Sequence, residues 1–329
     1  MSRFPSLLAL AYASTVCLAT GVTGCDPAAP EDSSAQALTG SNFQRVFVIM
    51  MENQNSTDIY GSSKAPYLNQ LMGKYAYSAN FQDVLPASLP SEPHYVWLEA
   101  GTNAFSDHTF STDSDPSSSN STGSSAHLVN LLTEKGLSWT AYQEGISSTT
   151  GACPVKSSSS TFYAAKHNPF VFFRDISGNP PGKTTAGCSS HMKPITQLAS
   201  DLSAGTVAHY NLITPNLCHD MHGAIGCPLT TIQSGDDWLK ANLPAILSYA
   251  SANQGVVFIT WDETEGETTQ PFVVVGPHVK AGYKGTVLYN MSSVLKSMQE
   301  IFQVTPLLGH AADPSTNDLS DLFVAGAFP

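Results

Sequence analysis

The chain has 329 residues, a formal net charge of −12, 12% charged residues and 42% hydrophobic ones. An acidic balance of this size offers no basic stripe to a phosphate backbone, so it argues against nucleic acid as a partner and against strong attraction to anionic lipid surfaces. Removing Arg3, which is positively charged and lies in the first 24 residues, leaves the remainder at −13 (−12 minus +1).

Residues 1–24 read as an export signal, with Arg3 as a positive start and Leu7 to Ala19 as an apolar stretch too short to span and stay. Val22-Thr23-Gly24-Cys25 resembles a bacterial lipobox, which makes Cys25 the lipidated first residue of the mature protein. The alternative is an ordinary signal peptide cleaved nearby. The Pro/Ala/Ser segment within residues 25–40 suits a flexible tether to a membrane. Residues 41–329 suffice for one large α/β domain, expected to be a monomer anchored to the cell envelope, facing the periplasm or the cell surface.

Arg45 to Met51 is a continuous apolar run and reads as a strand buried on both faces. Pro66 to Leu71 starts a helix. Ser106 to Ser125 is Ser/Thr/Asp-rich and reads as a long surface loop. Ala126 to Lys135 is helical with Gly136 as its stop, and Trp139 to Tyr142 is a short strand ending near Glu144. His191 to Leu202 suggests a helix, and His209 to Thr214 a strand stopped by Pro215. Asp236 to Ala250 is a longer helix that Pro244 kinks or divides. The strands Val256 to Trp261 and Phe272 to Val275 follow, and Ser292 to Phe302 closes the pattern as an amphipathic helix. Strands alternating with helices predict an α/β domain with a mostly parallel central sheet and helices on both faces.

Two of these strands run straight into acids: the first into Glu52-Asn53, the later one into Asp262-Glu263. Ligands of parallel sheets bind beyond the carboxyl ends of the strands. Acids converging there repel one another unless a cation sits among them, so the pattern predicts a metal site. Pro90-Ser91-Glu92-Pro93-His94-Tyr95 precedes a helix expected from Glu92 to Ala100 and closed by Gly101. A hydroxyl at a helix N-terminus faces free N–H groups, where a phosphate and an attacking alkoxide are stabilised. Taken alone, though, Ser91 reads as an N-cap. Of six cysteines, Cys17 leaves with the signal and Cys25 carries lipid. Cys153, Cys188, Cys218 and Cys227 remain, an even count that reads as two disulfides in an exported chain. Cys218–Cys227 is near enough in sequence to clip one loop, with Cys153–Cys188 closing another, although three pairings are formally open.

Glu52-Asn53, Pro-Ser-Glu-Pro-His-Tyr, His167-Asn168-Pro169-Phe170, the Thr214 to His222 segment and Trp261-Asp262-Glu263 occur in that order. This ordered set resembles the bacterial and fungal phosphoesterase family of acid phosphatases and phospholipases C, within the alkaline phosphatase superfamily, over roughly Arg45 to Phe323. The resemblance implies an alkaline-phosphatase-like fold and a phosphate-ester substrate. It gives Ser91 the role of nucleophile. Glu52, Asn53, Ser91, Asp262 and Glu263 would hold a metal, and Asp220 with His222 a second metal or the phosphate. Asn53, Ser91 and His94 would bind the phosphoryl group, and His167 and His222 would serve near the leaving group. Oxygen-rich donors favour Mg, Mn or Ca over Zn.

Two departures stand out. His94 occupies a position where relatives carry Asn, so activity is expected to fall as His94 loses its proton. Met291 stands where relatives commonly carry His, which puts a two-metal site in doubt and leaves one site better supported than two; His278 and His310 are other histidines, but nothing in the sequence shows that either substitutes. The expected activity is an exported phosphomonoesterase working through a phosphoserine. The alternatives are a phosphodiesterase of the phospholipase C kind and a non-catalytic surface lipoprotein.

Overall fold

The computed structural model describes residues 41–147 and 153–329. The expected export signal, the lipidation site Cys25 and the tether lie outside them. In chain order the strands are β1 (Arg45–Met51), β2 (Ala76–Ser78), β3 (Trp139–Gln143), β4 (Met192–Pro194), β5 (Tyr210–Thr214), β6 (Gly255–Trp261), β7 (Phe272–Val275) and β8 (Lys284–Gly285). They form one sheet in the order β4-β3-β5-β1-β6-β7-β2-β8. All pairings are parallel except those of β7, which runs antiparallel to both β6 and β2.

The helices are α1 (Ser56–Ile59), α2 (Pro66–Lys74), α3 (Ser91–Ala100), α4 (Leu128–Glu134), α5 (Arg174–Ser177), α6 (Ala186–His191), α7 (Leu198–Ala204), α8 (Thr231–Ala252) and α9 (Met291–Phe302). The period-two geometry of the central strands explains why their sequence is apolar throughout. Val46, Val48 and Met50 of β1 join a core with α3, α4 and α9. Phe47, Ile49 and Met51 face the other way, into a core with α2, α7 and α8. Both disulfides, Cys153–Cys188 and Cys218–Cys227, are formed.

Three expectations are corrected. The helix expected over His191 to Leu202 is instead the edge strand β4, a short 3-10 turn and the start of α7. Pro194 ends β4, where a missing N–H leaves no ladder bond unmade in the interior. Helix α8 starts before Asp236 and runs unbroken through Pro244, because the stripe Trp238, Leu239, Leu243, Ile246 and Ala250 anchors both halves. The Ser106 to Ser125 segment is irregular, as expected, but it does not lie wholly on the surface. Asn120, Ser121 and Thr122 are buried, and the carboxylate of Glu92 accepts hydrogen bonds from the Ser114 N–H (2.8 Å) and Asn120 Nδ2 (2.9 Å).

Helix α3 is buried along its whole length, acids included. Glu99 accepts a hydrogen bond from the Tyr210 hydroxyl at 2.7 Å, and burial pushes its carboxyl up to about 8 against that bond. A carboxyl raised in the folded state makes the native protein bind the extra proton. Its contribution is therefore fully present below the unfolded value of 4.5 and is lost as pH rises through about 8. The loss proceeds at up to about 1.4 kcal/mol per pH unit. Glu99→Gln keeps an acceptor for Tyr210 and is expected to remove one proton's worth of slope from denaturation free energies across that window. An unchanged slope would show that Glu99 is ionised in the native protein.

Gly235, near the start of α8, permits a close approach. A Cβ there would lie 2.4 Å from Met221 Cγ and 3.0 Å from Met51 Cε. Met221 has φ 85° and separates Asp220 from His222. Although Ala is the better helix former, Gly235→Ala is expected to destabilise by about 1–3 kcal/mol through overpacking. It should also lower turnover by shifting the Asp220 loop. A thermal melt at or above wild type would contradict this.

Candidate active site

The register of β1 and β6 pairs Met51 with Trp261, so Glu52 and Asp262 leave adjacent strands side by side. The Asp262 N–H continues the ladder to the Met51 carbonyl at 3.1 Å, and the Glu52 N–H reaches the Asp220 carbonyl at 2.8 Å. The backbone then turns sharply at Asn53, whose φ is 29°. This turn lets the Asn53 N–H donate to Asp262 Oδ1 (3.1 Å) and Asn53 Nδ2 donate to Glu263 Oε1 (3.2 Å).

Ser91 is the first residue of α3, and its hydroxyl caps nothing. Instead Oγ lies 3.1 Å from Glu52 Oε2 and 3.2 Å from Glu263 Oε1. The N-cap reading of Ser91 is thereby replaced: the cap position belongs to Pro90. One hydroxyl proton serves two buried carboxylates, an arrangement suited to withdrawing it.

Tyr95 follows one turn later on the same face of α3. Its hydroxyl donates to Glu52 Oε1 at 2.5 Å, and its ring stacks on His167 with centroids 4.9 Å apart and planes 4° apart. No role for Tyr95 was read from the sequence, and its i+4 spacing from Ser91 was the available signal. His167 is buried, with Nε2 3.4 Å from Glu52 Oε1 and Nδ1 3.7 Å from Asp220 Oδ2. Glu52, His167 and Asp220 each offer one ligand atom, all within 4.8 Å of one another.

The electrostatics are those of a site that wants a cation. Burial, then Asp262, then Asp220 raise the Glu52 carboxyl well above its ordinary value. Burial also raises Asp220 well above its ordinary value and raises Asp262. Glu263 is pushed up to about 7 by burial and by Asp262. Burial holds His167 well below the usual imidazole range, so its ring is neutral and has a lone pair to offer. Asn53 Oδ1, Asp220 Oδ2, Asp262 Oδ2 and His167 Nε2 are buried without hydrogen-bond partners among the described residues. Four orphaned donor atoms among mutually repelling acids are the residue set that a divalent ion satisfies.

His94 departs from its expected role. Both ring nitrogens meet acceptors, Nδ1 at 2.8 Å from the Pro90 carbonyl and Nε2 at 3.0 Å from Asp83 Oδ1. Two acceptors require two N–H groups, so the ring is an imidazolium and has no nitrogen left to donate to a phosphoryl oxygen. Burial opposes its charge, but Asp83 by hydrogen bond and charge, then Asp262 and Glu263, lift it to about 9. The expected alkaline loss of activity therefore falls near pH 9. His94→Asn should flatten that limb of the pH–rate profile; an identical limb in the variant would count against it. Asp83, which fixes this cation, carried no signal in the sequence.

Other assignments are redistributed. His222 was paired with Asp220 as a metal set. It gives Asp220 only its backbone N–H (2.8 Å), while its exposed ring sits 6.3 Å from that of His167. His167 takes the place in the cluster. Neither substitute for the missing histidine at Met291 joins it: His278 packs edge-on against Phe43 and His310 stacks on Trp97. Met291 itself is core. Glu144 receives His219 Nδ1 and the Asn216 N–H, each at 3.0 Å, and so braces the Asp220 loop. Lys166, paired with Asp113, is a cation that sequence reasoning missed. Its charge favours ionisation of Glu52 and Asp220.

A model of the phosphoesterase family matches residues 31–305. The chain belongs to the phosphoesterase family. It is similar to the phosphatidylinositol-3-phosphatase of Mycobacterium tuberculosis, with 27% identity over 282 residues covering 84% of this chain and 83% of that protein. It is also similar to a probable acid phosphatase of Kluyveromyces lactis, 26% identical over 291 residues covering 85% of this chain and 63% of the yeast protein. The fold is shared with an inactive murine ectonucleotide pyrophosphatase/phosphodiesterase 5 in complex with AMP. That likeness has TM-score 0.56 and 10% identity, covering 85% of this chain and all (100%) of the other. It is shared too with an alkaline phosphatase superfamily protein from Vibrio parahaemolyticus (TM-score 0.53, 10% identity, 85% of this chain, 71% of the other). This phosphoesterase is accordingly a hydrolase of phosphoric ester bonds, and the non-catalytic alternative is set aside.

Proposed function

We propose that this phosphoesterase is an exported, metal-dependent phosphomonoesterase that works through a phosphoserine. The observation that carries the reading is the Ser91 hydroxyl held between Glu52 Oε2 and Glu263 Oε1 at a helix N-terminus. One relative is named a phosphatase and the other a probable acid phosphatase, which supports the choice of a monoester. Two disulfides suit an oxidising compartment and support export.

Glu52, Asn53, Ser91, Asp262 and Glu263 would hold the ion, with Asp220 and His167 as further donors beside Glu52. When bound, a divalent cation supplies Lewis-acid stabilisation of phosphoryl charge and of the serine alkoxide. The oxygen-rich donor set favours Mg, Mn or Ca over Zn. Ser91 Oγ attacks phosphorus in line. Its proton passes to Glu263, the P–O bond to the alcohol breaks, and the phosphoryl group rests on Ser91. The free N–H groups of the first turn of α3 face the developing charge, and the His94 imidazolium offsets the surrounding acids. His167 is neutral and buried, which suits a ligand rather than an acid. Protonation of the departing alkoxide therefore falls to His222 at the exposed rim. Water then gives one proton to His222 and attacks phosphorus, the P–Oγ bond breaks, and Glu263 returns its proton to Ser91 Oγ as phosphate leaves.

A second reading has its own support. Ile225 and Leu229, fully exposed at 103% and 99%, flank Cys227 just beyond His222. Exposed aliphatic side chains on the loop that follows His222 favour an ester embedded in lipid. The test for both readings is one assay series on the mature chain. Metal is stripped, and p-nitrophenyl phosphate, bis-p-nitrophenyl phosphate and phosphatidylcholine are offered with each divalent ion restored. Monoester turnover restored by Mg, Mn or Ca is expected. Diester turnover alone would favour the second reading, and activity indifferent to metal removal would overturn the metal requirement.

A further inference from the structure

Beside the Ser91 site lies a cavity of 530 Å³, within the range of small-molecule sites, that the mechanism above does not use. Its lining includes Asp83, Trp97, His310, Asp313, Ser315 and Asn317. Two connections tie it to the chemistry. Asp83 belongs to both, since the carboxylate that lines the cavity also holds the His94 ring, and Asp83, His94 and Glu263 offer atoms within 4.8 Å of one another. Glu263 in turn touches the Ser91 hydroxyl. Helix α3 supplies the second link, because Trp97 stands six residues after Ser91 and hence roughly 9 Å farther along its axis.

We infer that this cavity is a subsite for a neutral, polyhydroxylated alcohol portion of the phosphate ester. The inference rests on the phosphomonoesterase reading and adds the class of leaving group. Among the described residues no Lys or Arg lines the cavity, so a second phosphate or a carboxylate would find two carboxylates, Asp83 and Asp313, and no lysine or arginine to offset them. A cationic head group is disfavoured for a different reason. Each carboxylate already engages an imidazole, Asp83 with His94 at 3.0 Å and Asp313 with His310 Nδ1 at 2.6 Å. The His310 ring also stacks on Trp97, with centroids 5.1 Å apart, so that face of the indole is covered. What the lining retains is hydrogen-bonding capacity of both signs: carboxylate lone pairs, the Ser315 hydroxyl, and the part of the Asn317 amide not spent on the Leu288 carbonyl, to which Nδ2 donates at 3.0 Å. A run of hydroxyls, each both donor and acceptor, is the ligand chemistry that matches. Trp97 is fixed by its own N–H, which donates to Ser292 Oγ at 2.8 Å, so the wall is built before a ligand arrives.

The test compares glucose 6-phosphate, phosphocholine and p-nitrophenyl phosphate on the metal-loaded chain, alongside Ser315→Leu and Asn317→Leu. Both positions are exposed and outside the Ser91 machinery. The wild type should show the lower KM for glucose 6-phosphate than for phosphocholine. Each variant should raise KM for the sugar ester about tenfold, the size of a lost hydrogen bond, and leave p-nitrophenyl phosphate kinetics unchanged. Saturation-transfer NMR with free sorbitol needs no turnover. Transfer to wild type that weakens in Ser315→Leu sustains the subsite. A preference for phosphocholine, an equal loss on all three esters, or no transfer from sorbitol overturns it. If no ester is hydrolysed with any ion, the phosphomonoesterase reading fails, and the sorbitol experiment still decides the cavity.

Discussion

Ser91→Ala is expected to lower turnover by about 10⁴-fold or more, the scale seen when a covalent nucleophile is deleted, while the protein stays folded. The structural reason for intact folding is that Ser91 makes no capping bond and sits at N1 behind Pro90. Its hydroxyl donates to Glu52 and Glu263, and each keeps a second donor, Tyr95 for Glu52 and Asn53 for Glu263. Losing Oγ therefore leaves each carboxyl group one donor, at the cost of the Glu52 Oε2 contact. The unfolding midpoint should move by no more than about 1 kcal/mol equivalent. A second readout separates loss of the nucleophile from loss of the site: inorganic phosphate should still bind to the metal-loaded variant, since the α3 N-terminus is unchanged. Turnover within tenfold of wild type would sink the phosphoserine mechanism.

The sheet was legible because its strands are long and buried on both faces. Arg45 to Met51 announces itself as a continuous apolar run, and its pairing with β6 sets Glu52 beside Asp262. The strands that escaped notice, β2, β4 and β8, are two or three residues long and owe their existence to neighbours already in place. The site was legible where function rides on strand ends and a helix start, as at Glu52, Asn53, Ser91, Asp262 and Glu263. It was illegible where a loop closes through space. Asp83 is an ordinary loop acid until the fold presses His94 against it. His222 has the better local motif, yet the turn at Met221 sends its ring outward and leaves His167, some fifty residues earlier, beside Asp220. Residue type and spacing report which chemistry is available; which of two histidines supplies it depends on backbone turns that no short motif encodes.

Asp262→Asn is expected to separate stability from activity in opposite directions. In the metal-free protein Asp262 is buried among Glu52, Asp220 and Glu263, and its charge raises the pKa of each. Its Oδ1 accepts the Asn53 N–H, a bond that an amide oxygen keeps, whereas Oδ2 makes no hydrogen bond among the described residues. Asparagine places an N–H₂ group at that orphaned position, surrounded by carboxylates able to accept from it. Removing one repelling charge and satisfying one buried atom should stabilise the metal-free chain by about 1–3 kcal/mol, or several degrees in melting temperature. With metal the comparison reverses. Wild type should gain stability with rising Mg, Mn or Ca, because an ion bound only to the folded state shifts unfolding by mass action. The variant should gain far less, having traded an anionic ligand for a neutral one, and its turnover should fall by about 10³-fold or more. Melting curves with a chelator and across a metal titration, run beside turnover, measure all of this. A metal-free variant less stable than wild type would mean that the acids around Ser91 are held by hydrogen bonds alone. A variant that keeps both metal stabilisation and activity would remove Asp262 from the ligand set.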